Sequence, residues 1–197
     1  METKSENPVT YLKEESINPI IRAYYEFNQL KVLYRQGWLK RGIPRERCES
    51  VAEHSLGVAV LAGWLAETHD PELDLCKVLR MALVHDFGEV YAGDIIPEDG
   101  IPRTEKRLLE RQSVDRVFGD LPGGDRYIEL WEEYEDGTSA EAHFVRQVDR
   151  LEMAMQASVY AQQGSYELDE FCRTALDSVS DPQILNLLRE LADCGVE

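Results

Sequence analysis

Helix-start signals recur along this chain, whereas alternating runs bounded by turns, which would build strands, are nearly absent; the chain is therefore constrained to an all-α fold. Asn18-Pro19 sets an N-cap before proline at the first helical position. Ile20, Tyr24, Phe27 and Leu30 follow at helical spacing, which predicts a helix over 19–34. Ser50-Val51-Ala52-Glu53 is a capping box, and Val51, His54, Val58, Leu61 and Leu65 mark one face of the helix it opens, up to a turn at 69–71. Asp74 can cap a third helix running from 75 to 89, with Val78, Ala82 and His85 on a common face. So short a turn predicts that these two helices pack antiparallel.

Two glycines and two prolines make 93–103 an irregular loop, followed by a charged helix over 104–118 and another over 125–135. Thr138-Ser139-Ala140-Glu141 reads as a second capping box opening a long helix to 163, and Asp181-Pro182 opens a last one to 192. There is no repeat, low-complexity tract or linker. The 197 residues are read as one domain with its core over 19–192 and a flexible segment over 1–17. A chain of this length buries roughly 70% of its unfolded surface, so a bound metal would serve chemistry and not folding.

The formal net charge of −17 argues against a nucleic-acid partner, which would need clustered cations for the phosphate backbone. A small anionic substrate stays open if a cation is supplied locally. The longest apolar run, 56–66, is well short of the roughly 20 residues that span a bilayer, so no membrane partner is expected. The first ten residues lack the basic and apolar segments of a secretory signal, which predicts a cytoplasmic protein. Cys48, Cys76, Cys172 and Cys194 are scattered and read as free thiols.

Of four histidines, His54 and His85 fall on the inner faces of neighbouring predicted helices. A lone histidine on an apolar face is more often a satisfied core residue than a ligand. Two that converge beside a carboxylate shift that balance. Asp86 follows His85 directly inside an apolar sequence, where a carboxylate is costly unless it pairs or binds a metal. A cation between them would accept an imidazole nitrogen and a carboxylate oxygen, with His54 as a third ligand. Asp149, flanked at i−4 and i+4 by Val145 and Met153, is the fourth candidate; alone it would more often be an ion-pair partner.

A histidine, a later His-Asp doublet and a distant aspartate on separate helices resemble the signature of the HD-domain metal-dependent phosphohydrolases. Glu53-His54-Ser55, His85-Asp86-Phe87-Gly88-Glu89, Gly93-Asp94-Ile95, Glu105-Lys106, 131–135 and Gln147-Val148-Asp149 resemble its 5′-deoxynucleotidase branch, over about 20–190. The resemblance implies a single helical HD bundle that hydrolyses deoxynucleoside 5′-monophosphates to deoxynucleosides and phosphate, and a homodimer. It implies His54, His85, Asp86 and Asp149 as metal ligands, and Glu89 and Asp94 as catalytic acid, base or outer ligand. Trp38 would border the sugar, where its bulk opposes a 2′-hydroxyl, and Lys106 would contact phosphate. Bacterial members carry arginine immediately before that tryptophan; here Gly37 stands there, leaving the phosphate clamp to Arg35 or Arg41.

Four protein ligands leave a six-coordinate Mn²⁺, Co²⁺, Fe²⁺ or Mg²⁺ two positions for water and phosphate oxygen. Zinc closed tetrahedrally by all four would leave nothing to react. Glu89 lies one helical turn after His85, near the metal face. On composition alone Glu89 reads equally as a solvated helix-end carboxylate, whereas Asp94 is more often a turn residue, Trp38 more often packing and Lys106 more often a solvated lysine. Two other functions remain: another HD phosphohydrolase acting on cyclic nucleotides or triphosphates, and a non-catalytic nucleotide-binding helical module. His69 and His143 are the only histidines left for a second metal.

Overall fold

The computed structural model describes residues 1–12, 17–164 and 166–195, and side chains as far as 192. Its α-helices are α1 (Pro19–Val32), α2 (Gln36–Lys40), α3 (Val51–His69), α4 (Leu75–Val84), α5 (Glu89–Ala92), α6 (Arg103–Phe118), α7 (Asp125–Asp136), α8 (Ala140–Gln163), α9 (Asp169–Ser178) and α10 (Pro182–Gly195). Among the described residues, β-pairing is confined to two isolated bridges, Thr3 with Leu33 and Tyr34 with Ser50. The all-α expectation holds.

The start of α3 shows how sequence sets local structure. Ser50 Oγ accepts from Glu53 N and Glu53 returns to Ser50 N at 2.6 Å, so two of the orphan donors of a helix start are satisfied reciprocally. Behind that start, α3 and α4 join with α8 and α10 around Val58, Ala62, Val78, Met81, Val148 and Leu151, all fully buried. A second cluster unites Leu30 and Leu33 with Val51, Val114 and Trp131. A third holds Trp38 with Tyr34, Ala157 and Tyr160. The candidate site lies where α3, the end of α4 and the middle of α8 meet.

Three departures from the sequence reading matter. The helix expected over 75–89 stays α-helical only to Val84, then tightens into a 3₁₀ turn over His85–Gly88 before α5. Gly88 lets this turn pack closely on α6, because a Cβ there would come within 2.6 Å of Glu110 Cβ. The capping box expected from Thr138 is shifted by one residue: Ser139 is the N-cap and accepts from Ala142 N at 3.1 Å. Glu141 instead accepts from Lys77 Nζ at 3.1 Å, and a cation outweighs a backbone amide as partner. Neither α2 nor α9 was anticipated.

Residues of the N-terminal segment expected to be flexible make specific contacts. Lys4 N donates to Val32 O at 2.6 Å and Glu2 N to Gln36 Oε1 at 2.8 Å. Residues 13–16 of that segment lie outside the described residues. Cys48, Cys76 and Cys172 are free thiols; the side chain of Cys194 lies outside the described residues.

Candidate active site

His54 projects from the first turns of α3, His85 and Asp86 from the 3₁₀ turn after α4, and Asp149 from mid-α8. His54 Nε2 lies 3.1 Å from Asp149 Oδ1 and 3.7 Å from Asp86 Oδ2, while His85 Nε2 lies 3.2 Å from Asp86 Oδ2. The two imidazole rings meet edge-on at 5.5 Å. All four predicted metal residues therefore converge. His85 and Asp86 are the first two residues of the 3₁₀ turn, and their side chains nonetheless meet at that 3.2 Å.

The far side of each ring is held. His85 Nδ1 meets Ala82 O at 2.7 Å, and His54 Nδ1 meets Glu152 Oε2 at 2.6 Å. A carbonyl only accepts, so Nδ1 of His85 carries a proton there and Nε2 is the ring atom turned towards Asp86. Tyr134 donates its hydroxyl to Asp149 Oδ2 at 3.2 Å.

His85 Nε2 and Asp86 Oδ2 are both buried without a hydrogen-bond partner among the described residues. Buried acceptors left unpaired side by side are costly, and a cation between them removes that cost. One ligand atom each of His54, His85 and Asp149 lies within 4.8 Å of the others, so the cluster could hold a metal ion. The charge balance agrees. Burial and Arg35 press the His54 pKa down, yet hydrogen bonds to Asp149 and Glu152 lift it to about 10. Burial likewise opposes protonation of His85, and Asp86 more than offsets it. Burial also works against ionised Asp86 and Asp149, but His85 and His54 hold both below the usual carboxylate range.

A cavity of about 890 Å³ opens above the cluster, lined by Arg35, Trp38, Glu89, Asp94 and Lys106 among others. His54 sits beneath it. Arg35 reaches in from the N-cap of α2, its Nη1 lying 3.6 Å from Asp94 Oδ1, 3.9 Å from Asp86 Oδ2 and 4.0 Å from Glu89 Oε1. Burial would lower its pKa, but Asp94, Asp86 and Glu89 raise it well above the ordinary value, so the guanidinium stays charged. Arg41, the other clamp candidate, is taken by Glu98 at 2.8 Å and by Glu170. Arg103, Arg107, Arg146 and Arg150 also line the cavity, interleaved with Glu98, Glu110, Glu135 and Glu170, so its wall is of mixed charge and an anion would be met by individual cations.

Glu89 is 4% exposed, with Oε2 unpartnered among the described residues. Burial first, then Asp86 and Asp94, raises its pKa well above the ordinary carboxylate value, which favours its protonated form. Asp94 accepts from Gln36 N at 2.5 Å and thereby fixes the segment that carries Arg35. Lys106 Nζ donates to Ile95 O at 3.0 Å and faces Glu110 at 3.5 Å. Trp38 is 2% exposed, donates Nε1–H to Glu49 Oε1 at 2.7 Å and packs on Phe171, ring centroids 4.3 Å apart. It is wall and core together.

The sequence reading missed Glu152 and Tyr134. Glu152 follows Asp149 by three residues, hence on one face of α8, and that spacing was the available signal. Tyr134 comes from α7, and only the fold brings it to Asp149.

An HD domain family model matches residues 27–188. The protein named 5′-deoxynucleotidase HDDC2 of Bos taurus is 36% identical over 191 residues, covering 95% of this chain and 91% of the relative. Its Mus musculus namesake is 40% identical over 167 residues, covering 83% and 81%. Among solved structures, the PH0347 protein of Pyrococcus horikoshii superposes with a TM-score of 0.75 at 31% identity, covering 88% of this chain and 98% of that one. A predicted metal-dependent phosphohydrolase of Magnetospirillum magnetotacticum gives 0.69 at 28%, covering 89% and 90%. With its helices, its converging His54, His85-Asp86 and Asp149 and these relatives, the chain belongs to the HD-domain family, in the group of the HDDC2 proteins.

Proposed function

We propose that this chain is a metal-dependent 5′-deoxynucleotidase, releasing phosphate from deoxynucleoside 5′-monophosphates. The observation that carries it is the pair of unpartnered buried acceptors, His85 Nε2 and Asp86 Oδ2, against His54 and Asp149 on the floor of a cavity that Arg35 and Lys106 line. The identity to proteins named 5′-deoxynucleotidase supplies the substrate class.

In this reading His54, His85, Asp86 and Asp149 hold a divalent ion, Mn²⁺, Co²⁺, Fe²⁺ or Mg²⁺ before Zn²⁺, because nitrogen and oxygen donors leaving open positions suit a six-coordinate ion. Such an ion supplies Lewis-acid polarisation of the phosphoryl group and an acidified water. Arg35 takes the phosphate oxygens, exchanging its acidic neighbours at 3.6 to 4.0 Å for the substrate's charge. Lys106 adds a point charge from the cavity wall. Glu89 delivers the proton that the leaving 5′ oxygen takes up, and Asp94 keeps Arg35 aimed. Trp38 walls the sugar subsite and opposes a 2′-hydroxyl. The same reading takes the enzyme as a cytoplasmic homodimer that binds a small nucleotide and neither nucleic acid nor membrane.

The test is phosphate release from deoxy- and ribonucleoside monophosphates, triphosphates and cyclic nucleotides with each divalent metal in turn. Deoxynucleoside monophosphates should be hydrolysed fastest. Equal rates on ribose and deoxyribose would remove the sugar discrimination, and faster release from triphosphates or cyclic nucleotides would overturn the substrate assignment.

A further inference from the structure

The two candidate histidine ligands are held differently from behind. His85 rests on a neutral backbone carbonyl, Ala82 O, at 2.7 Å. His54 rests on a carboxylate, Glu152 Oε2, at 2.6 Å, and both side chains are buried, 1% and 8% exposed. Glu152 does not line the large cavity, so it meets neither water nor substrate there. A second observation, independent of that hydrogen bond, concerns the facing helix. Gly57 lies three residues after His54 on α3, and a Cβ built on it would stand 2.5 Å from Glu152 Oε1 and 3.2 Å from its Cγ and Cδ. Glycine in the middle of a helix is disfavoured, and here it is the residue that leaves space for this carboxylate.

We infer that Glu152 is a positioning residue that fixes the tautomer and aim of His54 towards the metal site, and that Gly57 is the cradle that admits it. The inference rests on the reading of His54 as a metal ligand. A carboxylate accepts and does not donate, so Nδ1 carries the ring proton and Nε2, the atom facing Asp149 and Asp86, is presented as the donor. An anionic partner also makes the imidazole a stronger electron donor than a carbonyl does, and removing such a partner typically weakens metal binding about 10- to 100-fold. A structural explanation alone, a buried pair that merely packs α3 against α8, predicts lost stability without any change in metal affinity.

Glu49 complicates the picture. One ligand atom each from Glu49, His54 and Glu152 lies within 4.8 Å of the others, so a cation seated behind His54 is the rival account. It would place a second ion on Nδ1, where the inference places a proton.

The deciding experiment strips the full-length protein of metal and titrates it with Co²⁺ alone against a colorimetric chelator, recording dissociation constant, stoichiometry and thermal midpoint. The proteins compared are wild type, Glu152→Gln, Gly57→Ala and Gly63→Ala. Glu152→Gln keeps volume and loses the charge; it should bind Co²⁺ about 10- to 100-fold more weakly at unchanged stoichiometry. Gly57→Ala should weaken binding in the same direction by displacing Glu152, although alanine favours a helix. Gly63→Ala, on the same helix, meets only Leu79 Cδ2 at 3.4 Å and should bind as wild type. If Glu152→Gln does not fold, Gly57→Ala decides. Affinity within twofold of wild type in the folded Glu152 variant, or in Gly57→Ala when that variant decides, overturns the inference while the metal site stands. Loss of one of two bound ions on Glu152→Gln overturns it in favour of the second cation. A wild-type protein that binds no Co²⁺ overturns the metal reading itself, and the inference with it.

Discussion

Asp149 and Glu89 are carboxylates facing one cavity, yet their surroundings differ in sign. Burial raises both pKa values, but the hydrogen bond from His54 and the charges of Arg150 and His85 pull Asp149 far down, whereas Asp86 and Asp94 push Glu89 further up. One is thus an anion suited to ligate and the other an acid suited to give a proton. Asp149→Asn removes an anionic oxygen and Glu89→Gln an ionisable proton, each at nearly constant volume, so size is not the variable. Asp149→Asn should lose metal, with activity partly restored by excess metal. Glu89→Gln should keep its metal while turnover falls by roughly 10²–10⁴-fold, the usual worth of positioned acid–base catalysis. Elemental analysis beside initial rates reads both; a metal-depleted Glu89→Gln would make Glu89 a ligand. Trp38 calls for a gentler change, because truncating so buried a ring to alanine should cost about 3–5 kcal/mol by cavity formation alone. Trp38→Phe should stay folded and narrow the ratio of deoxyribose to ribose rates. An unchanged ratio would leave Trp38 as packing only.

At the scale of elements, the sequence was most legible where a helix has a chemical start. Asn18 accepts from Ile20 N, Asp74 from Lys77 N and Ser50 from Glu53 N, and α1, α4 and α3 begin at the residues those caps predict. Position was less legible where two partners compete: Ser139, not Thr138, caps α8 because Lys77 draws Glu141 away. The 3₁₀ turn at His85–Gly88 was illegible, since periodicity cannot distinguish 100° from 120° over four residues. The site followed the same division. Histidines and aspartates on apolar faces stand out in the sequence, whereas Glu152 is marked only by its spacing from Asp149, and the fold adds His54 and Gly57 across from it. Gly88→Ala tests the tightened turn, because its Cβ would meet the Glu110 side chain at 2.6 Å and backbone Cα at 3.2 Å. The variant should lose about 1–3 kcal/mol in a denaturant titration and lower metal affinity by displacing Asp86. Wild-type stability would show that α6 yields and that the turn does not depend on the missing side chain.

Across the whole molecule, a net charge of −17 is reconciled with an anionic substrate by individual cations, Arg35 and Lys106 among them, set in a cavity wall of mixed charge where burial raises the pKa of Glu89 and Glu110. Glu110 shows the consequence for stability: burial raises it from 4.5 to about 7 against the opposing pull of Lys106. The folded state therefore binds this proton more tightly than the unfolded one. Its contribution is fully present below pH 4.5 and is lost as pH rises through about 7, a change of up to about 3 kcal/mol. Thermal midpoints of metal-stripped wild type should fall relative to Glu110→Gln between pH 5 and 7.5 (roughly the span between the two pKa values), and a constant difference would show that Glu110 titrates normally. The central claim is that the His54, His85, Asp86 and Asp149 cluster is a metal centre that hydrolyses a deoxynucleoside 5′-monophosphate. Its most direct test titrates Mn²⁺ into metal-stripped protein while bound metal and phosphate release from one deoxynucleoside 5′-monophosphate are read together. The rate should be absent in chelator and rise in step with occupancy of one site. Full activity in chelator, or saturated metal with no phosphate released, would contradict it.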